Sequence, residues 1–135
     1  MSYIPKYIIK RLIPENGVVA EGDVIKVNAV NVISPIAIDE VPDDFMNFIE
    51  LKVDDKVVLD GTHRDGADKL SLGYGGKSYN TKNLKEAQGQ TIPVGGQILI
   101  VFPNTPKLEK GSMHKFTVTI KTNNPINIEF ERKVN

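Results

Sequence analysis

The chain contains no cysteine and no tryptophan. Without thiols there are no disulfides, no thiolate nucleophiles and no Cys-type zinc site. Without tryptophan the usual stacking platform for a sugar is missing, and Tyr74 and Tyr79 are the tyrosines left in a loop-like setting. A charge excess is lacking too. Lys+Arg and Asp+Glu both total 17, giving a formal net charge of zero. Nucleic-acid binders carry a basic excess that releases counterions from phosphate. Here the arginines, best suited to bidentate phosphate capture, are only Arg11, Arg64 and Arg132. No apolar run approaches the roughly 20 residues of a membrane span. Pro5, Lys6, Lys10 and Arg11 interrupt what would be the apolar segment of a signal peptide. These absences point to a cytoplasmic protein that engages neither nucleic acid nor membrane.

What remains is a pattern of short strands. The 135 residues suit one domain, spanning 1–135, large enough to bury roughly two-thirds of its unfolded surface without covalent staples. The segment Phe45 to Gly61 reads as one hairpin. Ile49, Leu51 and Val53 alternate with Glu50 and Lys52, Asp54-Asp55-Lys56 turns, and Val57 to Leu59 return. Upstream, Lys6 to Ile13 is rich in β-branched residues and reads as a strand closed by Asn16-Gly17. Asp23 to Ile33 reads as another strand. Its apolar parity slips near Ala29-Val30, which predicts a β-bulge there or a far end buried on both faces. Ser34 to Asp44 is a proline-bearing acidic loop. Lys69 to Leu72 is a short strand, Gly73 to Asn80 a glycine-rich turn, and Thr81 to Gln88 two turns of helix. His114 to Thr122 alternates cleanly, Asn123-Asn124-Pro125 turns, and Ile126, Ile128 and Phe130 alternate again. About seven or eight short strands between turn signals describe an all-β fold: an antiparallel, immunoglobulin-like β-sandwich with at most one short helix. Ile98 to Phe102 is apolar without alternation. It is either a central strand under a covering loop or a strand whose outer face meets another chain.

The chemistry-bearing candidates are thin. Gly76-Lys77-Ser78 ends like a phosphate-binding loop, but Ser71 stands at the first glycine position and no parallel α/β context surrounds it. His63 and His114 could share a metal with Asp65 or Asp68, yet the histidines lack ligand spacing. Asp60, Asp65 and Asp68 offer oxygens to calcium without the EF-hand spacing, and turns demand the same residues. No G-x-S-x-G elbow supports Ser-His-Asp catalysis. The pairs Asp43/Asp44 and Asp54/Asp55 are sequence neighbours and hence splayed apart. No catalytic residue and no metal ligand is assigned. Phe45, Met46 and Phe48 break alternation beside the acidic loop, and Met and Phe are enriched in interface cores; with Pro42 they are the expected partner interface, the alternative being a strand start that plugs the end of the sandwich.

Three segments in order, FIELKVDDKVV (Phe48 to Val58), GGKSYNTKNLKEA (Gly75 to Ala87) and Ile92 to Ile120 with its Leu108, Gly111 and His114, resemble the small β subunit of bacterial C-glycoside deglycosidases. The resemblance implies a β-sandwich paired, as a hetero-oligomer, with a larger xylose-isomerase-like barrel α subunit. It also implies a divalent, manganese-like metal in that partner and none in this chain. The complex would cleave the C–C bond between an oxidised (3-keto) sugar and an aromatic aglycone such as a flavonoid. A stand-alone module binding carbohydrate or protein is the competing reading, and a small enzyme with metal at His63 a third.

Overall fold

The computed structural model describes residues 2–105, 107–121 and 125–135. Among them lie β1 (Ser2–Tyr3), α1 (Lys6–Leu12), β2 (Val18–Glu21), β3 (Val24–Val30), β4 (Ile36–Ala37), β5 (Ile49–Val53) and β6 (Lys56–Leu59). There follow β7 (Ser71–Tyr74), β8 (Lys77–Asn80), β9 (Thr91–Ile92), β10 (Gln97–Pro103), β11 (Met113–Ile120) and β12 (Ile126–Lys133). Single 3₁₀ turns occupy Phe45–Phe48, Ala67–Lys69 and Leu84–Ala87.

Two five-stranded sheets form, in the orders β1-β12-β11-β5-β6 and β2-β3-β10-β7-β8, with β4 and β9 as a separate ribbon. Strands β2, β3, β10 and β7 occupy the A-B-E-D positions of an immunoglobulin-like sandwich, and β5, β11 and β12 the C-F-G positions. Every pair is antiparallel except β1, which runs parallel to β12. The fold is therefore the expected all-β sandwich with one short helix. Where antibody domains pin the two sheets with a disulfide and a tryptophan, this chain stacks phenylalanines. Phe116 on β11 is fully buried, stacks on Phe130 of β12 at 5.3 Å, and meets Phe102 of β10 edge-on at 6.3 Å.

The segment expected as the first strand is helical instead. Ile9, Leu12 and Ile13 stand at i, i+3 and i+4, and helical geometry buries all three while leaving Tyr7 in solvent. A strand would have split them between two faces, so burial overrides β-propensity. Pro5 starts the helix, where a missing N–H costs nothing. Arg132 finishes it: the guanidinium donates to the Ile13 carbonyl at 2.7 Å, just past the helix end, and lies 3.4 Å from the Ile9 carbonyl, which already accepts from the Ile13 amide.

The bulge expected at Ala29-Val30 is absent, because β3 pairs with β10 without interruption from Val24 to Val30. The parity change has another cause. The strand stops at Val30, and buried Asn31 anchors the next loop, donating to the carbonyls of Ser34 and Ile92. The irregular register lies between β5 and β6, at Leu51/Lys52. The hairpin expected from Phe45 starts only at Ile49, since Phe45–Phe48 is a 3₁₀ turn. Gly73 to Asn80 is not a single turn but most of a hairpin, β7 and β8 around Gly75-Gly76. The two helical turns over Thr81–Gln88 reduce to one 3₁₀ turn. The turn expected at Asn123-Asn124 lies outside the described residues.

Strand β10 is central, bonded to β3 on one side and β7 on the other. Ile98, Ile100 and Phe102 serve the core, while Leu99 and Val101 alternate to the other face and stay half-buried. The loop carrying Gly66 leans on the end of this strand. A Cβ at Gly66 would sit 2.9 Å from the Pro103 ring, and its φ of +80° also favours glycine.

Candidate functional site

The acidic loop and the 3₁₀ turn after it form a strapped-down surface. The Val41 amide donates to the Gln88 side chain at 2.7 Å. Lys85 pairs with Asp43. Arg64 pairs with Asp44 at 2.8 Å, and Asn47 donates to the same carboxylate oxygen. The Arg64 guanidinium holds the Asp44 carboxyl below its ordinary range. Gly61 is what lets Asn47 sit there, because a Cβ at that position would collide with the Asn47 side chain. Asp43 and Asp44 thus reach different cations, as their adjacency predicts, and form no acid–base pair.

The expected interface residues divide on this turn. Met46 is 4 % exposed and belongs to the core, so this chain itself covers it. Phe45 and Pro42 are half-buried, and Phe48 is 40 % exposed. A 3₁₀ turn points successive side chains about 120° apart, which explains how one can be buried while its neighbours are not. Alternation broke in the sequence because the segment is no strand.

Beside Phe45 the sandwich is open. Ile49, Val118 and Ile120 from one sheet face Leu72 and Ile100 from the other across a cleft of about 290 Å³. Phe45 and Leu84, from two 3₁₀ turns, also line it. All seven side chains are half-buried rather than buried. Glu50, Ser71 and Asn80 bring the few polar groups. Glu50 is paired with Lys52 at 3.4 Å and with Lys121 at 3.8 Å. No sequence motif marks the cleft, because its walls come from strands far apart in the chain.

A second cluster was equally hidden. Pairing of β5 with β11 brings Asp54 against His114. The Asp54 carboxylate accepts from the Lys115 amide at 3.0 Å and lies 2.6 Å from His114 Nδ1, and Ser112 Oγ lies 2.8 Å from Nε2. The contacts with Lys115 and His114 lower the Asp54 pKa. The order Asp-His-Ser is that of a hydrolytic triad, but the hydroxyl is turned away. Ser112 spends its single proton on the Glu109 carbonyl at 2.5 Å, so its oxygen offers the imidazole only a lone pair. The cluster's role is to hold a turn. Asp54 and Asp55 both have positive φ, 51° and 67°, a left-handed conformation that glycine takes freely and that Asp tolerates better than most other residues. Asp54 is fixed by His114 and the Lys115 amide, and Asp55 by the Lys115 ammonium at 2.8 Å.

The other candidates stay apart. His63 belongs to a separate network, its Nδ1 2.9 Å from Asp60 and 3.0 Å from Thr62. That contact and three further hydrogen bonds push the Asp60 carboxyl well below the ordinary carboxylate range. Asp60 is spent on closing its own loop, accepting from the amides of Thr62 and His63. Among the described residues no three His, Asp or Glu side chains are grouped to hold a metal. Gly75 and Gly76 turn a hairpin between antiparallel strands, with Lys77 and Ser78 exposed on β8, so the phosphate-loop geometry is missing. Among the described residues no helix is long and apolar enough to cross a membrane.

No family model matches the chain, and no curated protein matches it. Among solved structures it is similar to the N-terminal domain of PorA, at 16% identity over 90% of each chain with a TM-score of 0.24. It is also similar to the collagen binding subdomain of the Enterococcus faecalis surface protein ACE, at 7% identity over 90% of this chain and 97% of that one, with a TM-score of 0.23. Superpositions this loose tie the chain to neither, and the fold rests on its own strand order.

Proposed function

We infer that this chain is the accessory β subunit of a metal-dependent complex that cleaves the C–C bond of oxidised C-glycosides. In this reading the larger barrel subunit holds the divalent metal and the reacting groups, and the hetero-oligomer works in the cytoplasm. The observation that carries a subunit role is the surface around Phe48. An exposed aromatic and a half-exposed proline and phenylalanine sit on a turn fixed by Arg64, Lys85 and Gln88. Rigid apolar side chains lose little freedom on binding, which is what a stable interface needs. The resemblance of Phe48 to Val58, Gly75 to Ala87 and Ile92 to Ile120 supplies the chemistry of the complex.

The test is co-purification from source cells, followed by native mass spectrometry, metal analysis and assay on a 3-keto C-glucoside. A larger metal-bearing partner in fixed ratio, with C–C cleavage, supports the reading, and Phe48→Asp then loses the partner. A stable monomer without a partner removes it. The runner-up is a stand-alone binding module. The open cleft favours it, although the walls suit a hydrocarbon surface better than a sugar.

A further inference from the structure

We propose that the cleft beside Phe45 is a binding site for a small, neutral, apolar molecule of about twelve carbon atoms. Three features converge on it. First, it is a slot between layers rather than a bare face. Ile49, Val118 and Ile120 of one sheet and Leu72 and Ile100 of the other leave about 290 Å³ unfilled. Sandwich interiors are normally closed by interdigitated side chains. Second, its size matches a ligand and not a stray water. An apolar cavity of about 150 Å³ holds one benzene ring, so roughly twice that volume takes two fused rings or a short hydrocarbon chain. Third, the charges around it are spent on each other. Glu50 faces Lys52 and Lys121, and Lys85 faces Asp43. An ionic head group would find no free counter-charge among them, and an apolar body would meet walls that repel water.

Phe45 and Leu84 stand on separate 3₁₀ turns that a salt bridge, Asp43 to Lys85, ties together. The proposal concerns the isolated chain and does not rest on the subunit reading.

The experiment is a titration of the chain, with methyl-labelled Ile, Leu and Val, against 2-naphthol and against naphthalene-2-sulfonate. Saturable shifts for the methyls of Leu72, Ile100, Val118 and Ile120 with 2-naphthol are expected, with at least tenfold weaker binding of the sulfonate. Val118→Phe fills the slot and removes the shifts. Leu84→Trp occludes it from the 3₁₀ turn and does the same if the core variant fails to fold. The proposal is overturned if the neutral probe gives no saturable shift. It is equally overturned if the folded variants bind as the parent does, or if the shifts centre on the outer residues Leu99 and Val101. Failure of this titration leaves the co-purification result untouched, so the two ideas fail separately.

Discussion

The two ends of β11 are finished differently. Toward His114 and Phe116, helix α1 packs against β12, and Ile9, Leu12 and Ile13 complete the core. Arg132 seals that arrangement by donating to the Ile13 carbonyl after the helix and lying over the Phe130 ring at 5.9 Å. Toward Val118 and Ile120 no helix packs in this way among the described residues; Met46 reaches the core from its 3₁₀ turn, and most of the apolar walls stay half-buried around an open cleft. One end of the sandwich is closed by its own helix, and the other is left open among the described residues. Sandwich strands alone cannot close their ends, because side chains project above and below the sheet and not along it. A segment must be spent on each end, and this chain spends its helix on one only.

That contrast can be broken first at the closed end. Leu12→Ala removes a buried side chain and is expected to cost about 2–5 kcal/mol in urea unfolding. Leu72→Ala at the open end, where the side chain is already half-solvated, should cost less than half as much; equal costs would mean that the cleft is as well packed as the core. Arg132→Met comes next. It removes the cap from α1 and should cost about 1.5 kcal/mol, with faster amide exchange in α1 and unchanged exchange at Leu84–Ala87.

A smaller effect is expected from acid. The carboxyls of Asp44, Asp54 and Asp60 are held below their ordinary range in the folded chain. A depressed native pKa means that the unfolded chain binds protons first. The stabilisation is therefore complete above the unfolded value of about 4 and is lost as pH falls through and below it. Urea midpoints should be flat from pH 7 to 5 and fall below pH 4, and Asp54→Asn should flatten part of that fall. The smallest expected change in stability among these substitutions is for Phe48→Asp, about 1 kcal/mol for a side chain 40 % exposed, and partner binding should be lost with it. Phe48 sharpens this test better than Phe45, which also packs against the core.

Much of this contrast could not be read from the sequence. The alternation in His114 to Thr122 and Ile126 to Phe130 is plain in the sequence, although the polar side of β11 is not wet: Thr117 and Thr119 are buried, and Thr119 donates to Asn127. The helix was hidden by Ile8, Ile9 and Ile13, whose branching favours strands; the spacing of Ile9, Leu12 and Ile13 was the available signal. Broken alternation at Phe45 to Phe48 is the signal behind the proposed partner surface, yet Met46 turns inward because a 3₁₀ turn, not a strand, sets the directions. The Asp54–His114 contact spans 60 residues and exists only once β5 pairs with β11. The cleft likewise has no local signature, since each wall residue reads as ordinary core.

The most direct measurement is amide hydrogen exchange on the chain alone and in the complex recovered from source cells. Selective protection of Pro42–Phe48 in the complex, with α1 unchanged, is the predicted result. Protection centred on α1 and Arg132, with exchange at Pro42–Phe48 unaltered, would contradict the division of the molecule into a closed end and a receptive one.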